Sequence, residues 1–136
     1  MRRYGGEACL AVLDIDHFKR INDRYGHQVG DEALRLLTAT LAARLRQNDL
    51  FGRVGGEEFA LLLIETPLGE ARGKLAELLE LMRATPLAVP EGEAIILFSA
   101  GVTPLMREDR SLDDAYSRAD KLLYEARVAG RACVRG

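Results

Sequence analysis

Residues 51–65 read FGRVGGEEFALLLIE, and the order of residues in this stretch decides the fold. Gly55-Gly56 between "LFGRV" and "EEFALLLIE" is a two-residue hairpin signal, because glycine supplies the positive φ that such turns require. A hairpin explains the glycines but has no use for Glu57 and Glu58. Upstream, "ACLAVLDID" (8–16) reads as a buried strand with Asp14 at its C-terminal end, and "HFKRINDRYGH" (17–27) as a short helix stopped by Gly26. "GDEALRLLTATLAARLR" (30–46) follows as a helix with Asp31 and Glu32 in its first turn. Its Leu34, Leu37, Leu41 and Leu45 form an amphipathic stripe. Downstream, "LGEARGKLAELLELMRA" (68–84) predicts a helix ended by Thr85-Pro86, and "EAIILFSAGVTPL" (93–105) a buried strand. "SLDDAYSRADKLLYEARVAG" (111–130) predicts a helix closed by Gly130, and "RACVR" (131–135) a last edge strand. The resulting order, β-α-α-β-β-α-β-α-β, is an α+β arrangement: a mainly antiparallel sheet with helices covering it.

At 136 residues the chain is expected to form one domain. Its net charge of −2 does not point to nucleic acid or to an anionic membrane as a partner. Cys9 and Cys133 sit in apolar contexts near opposite ends and read as buried small hydrophobes. Neither a disulfide framework nor a metal-ligand pair is implied, which fits a cytoplasmic domain. No apolar run is long enough to cross a membrane, and no signal peptide is apparent.

If the first strand lies beside the hairpin, its end at Asp14 meets one of the two glutamates. Successive strand residues point to opposite faces, so Glu57 and Glu58 are expected on opposite sides. Asp14 with Glu57 then makes an oxygen-rich site suited to a hard divalent cation such as Mg²⁺. The plainer alternative is a set of solvated acids at a strand end and a turn.

"DIDHFKRINDRYGHQVGDEAL" followed by "RVGGEEF" resembles the GGDEF domain of diguanylate cyclases, with Glu57 in the third motif position. The late "SRADKLLYEARVAGR" is similar to the family's "RADxALYxAKxxGR", and the likeness runs from about Cys9 to Val134. It implies a palm-like, ferredoxin-like fold related to class III nucleotide cyclases and polymerase palms. The implied activity is condensation of two GTP into cyclic di-GMP and two pyrophosphates. By the same resemblance, two Mg²⁺ per site, with Mn²⁺ as a substitute, are held by Asp14, the Ile15 carbonyl and Glu57. Glu58 assists either the metals or the deprotonation of the 3′-hydroxyl. Asp16 is taken as structural. Gly55 and Gly56 let the nucleotide lie close over the turn.

Asn22 and Asp31 stand at the family's guanine-reading positions; their plainer readings are a surface amide and a helix N-terminal residue. The backbone N–H groups of His17, Phe18 and Lys19 open a helix and match the family's phosphate cradle. Arg127 and Arg131, four apart at a helix end, match its phosphate-contacting Lys and Arg, with Arg127 departing from the usual Lys. Ala132 replaces the common Asn. His27 reads as structural, packed near the following turn.

"RQND" (46–49) has the pattern and position of the family's product-inhibitory site. Arg46 would grip guanine or phosphate and Asp49 the guanine N1/N2 edge. The additional arginine often found in that site has only Arg83 as a candidate, too late in its helix. The family's D-x-L-T-G-L-x-N-R segment is not found ahead of "MRRYGGEACL". The expectation is therefore a trimmed GGDEF-type domain spanning 1–136, from a longer parent with a sensory domain. Catalysis would require a homodimer of face-to-face sites. The rival reading is a non-catalytic module binding GTP or cyclic di-GMP.

Overall fold

The computed structural model describes residues 7–136, so the first six residues of the expected 1–136 domain lie outside the described residues. Seven strands, β1 (Ala8–Ile15), β2 (Leu50–Gly55), β3 (Glu58–Ile64), β4 (Leu87–Val89), β5 (Gly92–Ala94), β6 (Phe98–Pro104) and β7 (Val134–Arg135), alternate with four helices. These are α1 (Phe18–Tyr25), α2 (His27–Arg44), α3 (Leu68–Arg83) and α4 (Leu112–Val128). Five strands form one sheet in the order β2-β3-β1-β6-β7. All its pairings are antiparallel except β6 with β7, which is parallel. The α+β, mainly antiparallel expectation is met.

β1 is the central strand and is buried on both faces, which is why "ACLAVL" (8–13) is apolar throughout instead of alternating. Cys9, Ala11, Leu13 and Ile15 face a core shared with Leu37 and Leu41 of α2 and Leu75, Leu78 and Met82 of α3. Val12, on the other face, packs with Ala119 and Leu123 of α4. Each large aliphatic side chain buried this way contributes about 1.5–3 kcal/mol. α4 lies so close to the sheet that a Cβ at Gly101 would overlap the Ala119 carbonyl and the Leu123 amide. Arg118 of α4 then fastens the loop after β6, donating to Asp109 and to the Pro104 carbonyl.

Five boundaries differ from the sequence expectation, the last being that β7 takes only Val134–Arg135 of the expected 131–135. The segment expected as one strand over 93–105 is broken: Gly92–Ala94 pairs with Leu87–Val89 in a separate two-stranded ribbon, and β6 begins only at Phe98. Pro90 and Glu91 form its turn, a site where proline needs no ladder partner. α2 starts at His27 rather than at Gly30, because burial of Val29 draws the preceding turn into the helix. Asp31 is therefore inside the helix and is not an N-terminal residue, and His27 is exposed instead of packed. The hairpin loop is Gly56–Glu57, since Gly55 still pairs with Glu58 after a register shift between Arg53 and Gly55. Gly56 takes the positive φ of 47°, and Arg53 Nε donates to its carbonyl at 2.6 Å.

The fourth difference is at the end of α4. The helix stops at Val128, so Arg127 and Arg131 do not share a helical face. Gly130, at φ 114°, supports a left-handed cap in which Arg131 N–H donates to Ala126 O and Gly130 N–H to Arg127 O. This cap folds Arg131 back beside Arg127. Arg131 and Ala132 also have positive φ, 68° and 48°. Asparagine tolerates that region better than alanine does, so the backbone at Ala132 is of a kind that favours asparagine.

Candidate active site

The C-terminal end of β1, the hairpin turn, the start of α1 and the end of α4 meet around a cleft of about 210 Å³. It is lined by Asp14, Ile15, Asp16, His17, Phe18, Lys19, Glu57, Arg127 and Arg131. The turn is fastened to β1 by the Ile15 N–H, which donates to the Glu57 carbonyl at 3.3 Å. Because Glu57 belongs to the turn, strand alternation does not govern it, and its side chain reaches the cleft that holds Asp14. Glu58 pairs directly across from Asp14 in the β1–β3 register, so both side chains leave the same, α4-facing side of the sheet.

Asp14 is buried, and one of its oxygens is paired with the Arg127 guanidinium. Its other oxygen, Oδ1, is buried without a hydrogen-bond partner. Burial, reinforced by the neighbouring Arg131, pushes the Arg127 pKa below its usual value. Asp16 is a fastener, as expected: it accepts from Ser99 Oγ at 2.6 Å and from the Ala132 N–H at 2.8 Å. These bonds tie the cap after α4 to the end of β1, and so set the position of Arg131.

The loop from β1 to α1 passes through His17 in a left-handed conformation, with φ 56° and ψ 36°. His17 offers no side-chain cap, so the opening amides of α1 have no side-chain acceptor. An uncapped helix start next to Lys19, Arg127 and Arg131 suits a phosphate chain.

Asn22 of α1 lies against Gly30 of α2, and a Cβ at Gly30 would overlap its amide. Its Oδ1 is buried and unpartnered; no other described residue except Asp14 has a buried side-chain N or O left so. Asp31, the next residue after Gly30, opens onto a second and larger cleft of about 570 Å³ between α2 and the hairpin. Arg35, Thr38, Arg53 and Phe59 also line it. The two nominated base-reading residues therefore flank one helix junction. Gly55 and Gly56 are exposed, and a Cβ on either would meet nothing in the chain.

One residue escaped sequence reasoning. Tyr116 of α4 packs with the Val12, Ala119 and Leu123 cluster and donates its hydroxyl to Glu58 Oε2 at 2.5 Å. Burial and then the Glu58 carboxylate push the Tyr116 pKa well up, so the hydroxyl stays a donor. The bond joins elements far apart in sequence, and no local pattern signals it. Cys9 is buried, and burial with the nearby Glu7 charge raises its thiol to about 11, which leaves it unreactive.

The nominated cation ligands fit a hard dication. An unpartnered, buried carboxylate oxygen and a second carboxylate beside it are an all-oxygen donor set. Among the described residues no cluster of three or more His, Cys, Asp or Glu side chains could hold a metal.

Arg46 and Asp49 lie at another corner. Asp49 is buried and accepts from the Arg46 N–H at 3.0 Å and the Ile64 N–H at 2.9 Å. Arg46 donates to Ile64 O and to Thr66 Oγ1. A shallow depression of about 230 Å³ adjoins them. Arg83 pairs with Glu80 at the far end of α3, about 22 Å from the helix start next to Thr66. It does not reach this corner.

Residues 2–133 match the family described as diguanylate cyclase, GGDEF domain. The chain is 47% identical over 133 residues to the diguanylate cyclase DgcP of Pseudomonas aeruginosa, covering 95% of this chain and 19% of that protein. It superimposes with a TM-score of 0.91 on the GGDEF domain of DgcB from Caulobacter crescentus, solved in complex with c-di-GMP. That match has 31% identity and covers 97% of this chain and 78% of the other. The active GGEEF domain of a diguanylate cyclase from Vibrio cholerae gives a TM-score of 0.85 at 34% identity, over 96% of this chain and 83% of that one. The chain spans only about a fifth to a third of the length of the relatives it matches by sequence.

Proposed function

The chain belongs to the GGDEF domain family of diguanylate cyclases, and from that membership we propose that it condenses two GTP into cyclic di-GMP and two pyrophosphates. The observation that carries this reading is the pair of buried, unpartnered oxygens on Asp14 and Asn22. An unsatisfied buried polar atom costs about 1–3 kcal/mol. Here both fall on residues that a nucleotide and its cation would satisfy.

Asp14, the Ile15 carbonyl and Glu57 would hold Mg²⁺, two ions per site, which when bound would activate the attacking 3′-hydroxyl and offset charge on the departing pyrophosphate. The opening amides of α1 at His17, Phe18 and Lys19, with Arg127 and Arg131, hold the phosphates. Asn22 and Asp31 read the guanine edge, Asp31 as the acceptor for N1–H and the N2 amino group. Gly55 has no positive φ, and the chain leaves space around it, so its missing side chain serves the approach of the ligand. Glu58, steadied by Tyr116, keeps its carboxylate on the α4 face across from Asp14.

One subunit holds one GTP across these two clefts, so cyclisation takes two subunits with their sites facing. The whole of 1–136 serves as a single domain within a longer protein that carries the sensory part. At the second corner, cyclic di-GMP inhibits when Arg46 exchanges Ile64 O and Thr66 Oγ1 for the ligand. The test is incubation of the chain with GTP and Mg²⁺ at high protein concentration, followed by chromatography. Cyclic di-GMP rising faster than linearly with protein supports the enzyme and its need for two subunits. Bound GTP with no product, even after fusion to a dimerising segment, overturns the enzyme in favour of a binding module.

A further inference from the structure

We propose that Arg127 is an exchangeable counter-ion for Asp14, so that the cleft admits a divalent cation together with a nucleoside triphosphate and resists the free cation. This inference rests on the reading of Asp14 and Glu57 as cation ligands. Asp14 is buried, and a buried carboxylate requires a compensating charge. Arg127 supplies it at one oxygen and leaves the other free.

The charges around the cleft support the exchange. Asp14, Asp16 and Glu57 face Lys19, Arg127 and Arg131, three carboxylates against three cationic side chains. A free dication entering this balanced set brings two uncompensated positive charges close to Arg127 and Arg131. A triphosphate alone brings the opposite excess. A triphosphate that carries two dications, the number this site is read to hold, brings little net charge and gives Arg127 a new anionic partner as it releases Asp14.

The backbone is arranged so that only the side chain needs to move. The Arg127 carbonyl accepts from the Gly130 N–H, and the Arg131 N–H donates to Ala126 O, which pins the helix end. The Arg127 side chain is 38% exposed, so a path into the cleft is open to it. Both Asp16 oxygens already accept hydrogen bonds, from Ser99 and from the Ala132 N–H, which hold that carboxylate in place. Phosphates entering the cleft give Arg127 an anionic partner as it releases Asp14. Linkage then makes the cation and the nucleotide strengthen each other equally.

The test is titration of the chain with Mn²⁺, followed by electron paramagnetic resonance or calorimetry, with and without a non-hydrolysable GTP analogue. In the parent, the analogue is expected to tighten Mn²⁺ binding at least about tenfold, within the range usual for coupled sites. Arg127→Gln is expected to tighten Mn²⁺ alone by about fivefold or more and to shrink the nucleotide effect correspondingly. Arg127→Lys, which keeps the charge, should stay near the parent. Unchanged or weaker binding of free Mn²⁺ in Arg127→Gln overturns the exchange while leaving the cation site standing. Tightening by Lys equal to that by Gln overturns it too, since charge would not be the cause. If Arg127→Gln melts below the assay temperature, the parent decides: Mn²⁺ bound equally well without the analogue overturns the inference. Failure of parent and variant alike to bind Mn²⁺, with or without the analogue, removes the cation site itself and the inference with it.

Discussion

Two buried aspartates in this protein have opposite surroundings. Asp14 has one oxygen on Arg127 and one with no partner, at the meeting point of four elements. Asp49 has both oxygens filled by backbone N–H groups, from Arg46 and Ile64. The first arrangement is incomplete without a ligand. The second is complete, and it fixes the entry to β2 against the end of β3 whether or not a ligand is present. A family pattern marks both residues alike, but only their surroundings separate a carboxylate with a free buried oxygen from one that works as a structural joint.

The comparison breaks first at the hairpin. Glu57→Ala is expected to abolish cyclic di-GMP formation, by about 10³-fold or more, with an unchanged melting curve, because the side chain sits on a turn at the cleft. Undiminished product would remove Glu57 from the site. Next, Asp49→Ala should cost about 2–4 kcal/mol in urea unfolding, since it strands two backbone donors. A loss below about 0.5 kcal/mol would mean that Asp49 is no joint. Arg46→Ala should relieve product inhibition while costing less than about 1 kcal/mol, because its side chain is half exposed. An identical inhibition curve would discard the second site.

Smaller effects test the framework around both corners. Ala132→Asn should stabilise the chain by a few tenths to about 1 kcal/mol through the left-handed backbone at that position. No gain in melting temperature would show that the cap after α4 carries no such strain. Asp109, away from both corners, is a control. The hydrogen bonds from Arg118 and then from the Met106 amide hold its pKa near 2, below the ordinary 3.8. Its stabilising contribution is therefore present above about pH 3.8 and fades as the pH falls towards 2. Arg118→Gln should flatten acid unfolding across that window, and an unaltered acid limb would contradict the pairing.

The amino-acid sequence by itself determined what depends on neighbours along the chain. The glycine pair gave the hairpin, the leucine spacing gave α2 and α3, and the apolar run of β1 placed Asp14 at its end. Motif order then nominated the site residues. Tertiary structure decided the rest, because those features depend on partners distant in sequence. Burial of Val29 moved the start of α2 and put Asp31 inside the helix. A register shift against β3 made Gly56–Glu57 the loop and turned Glu57 into the cleft. The left-handed cap at Gly130, fastened by Asp16 to β1, brought Arg131 beside Arg127 after the helix had ended. Tyr116 on Glu58 and Arg127 on Asp14 are contacts across the sheet–helix interface, where no spacing rule reaches, and they exist only because α4 packs against Gly101.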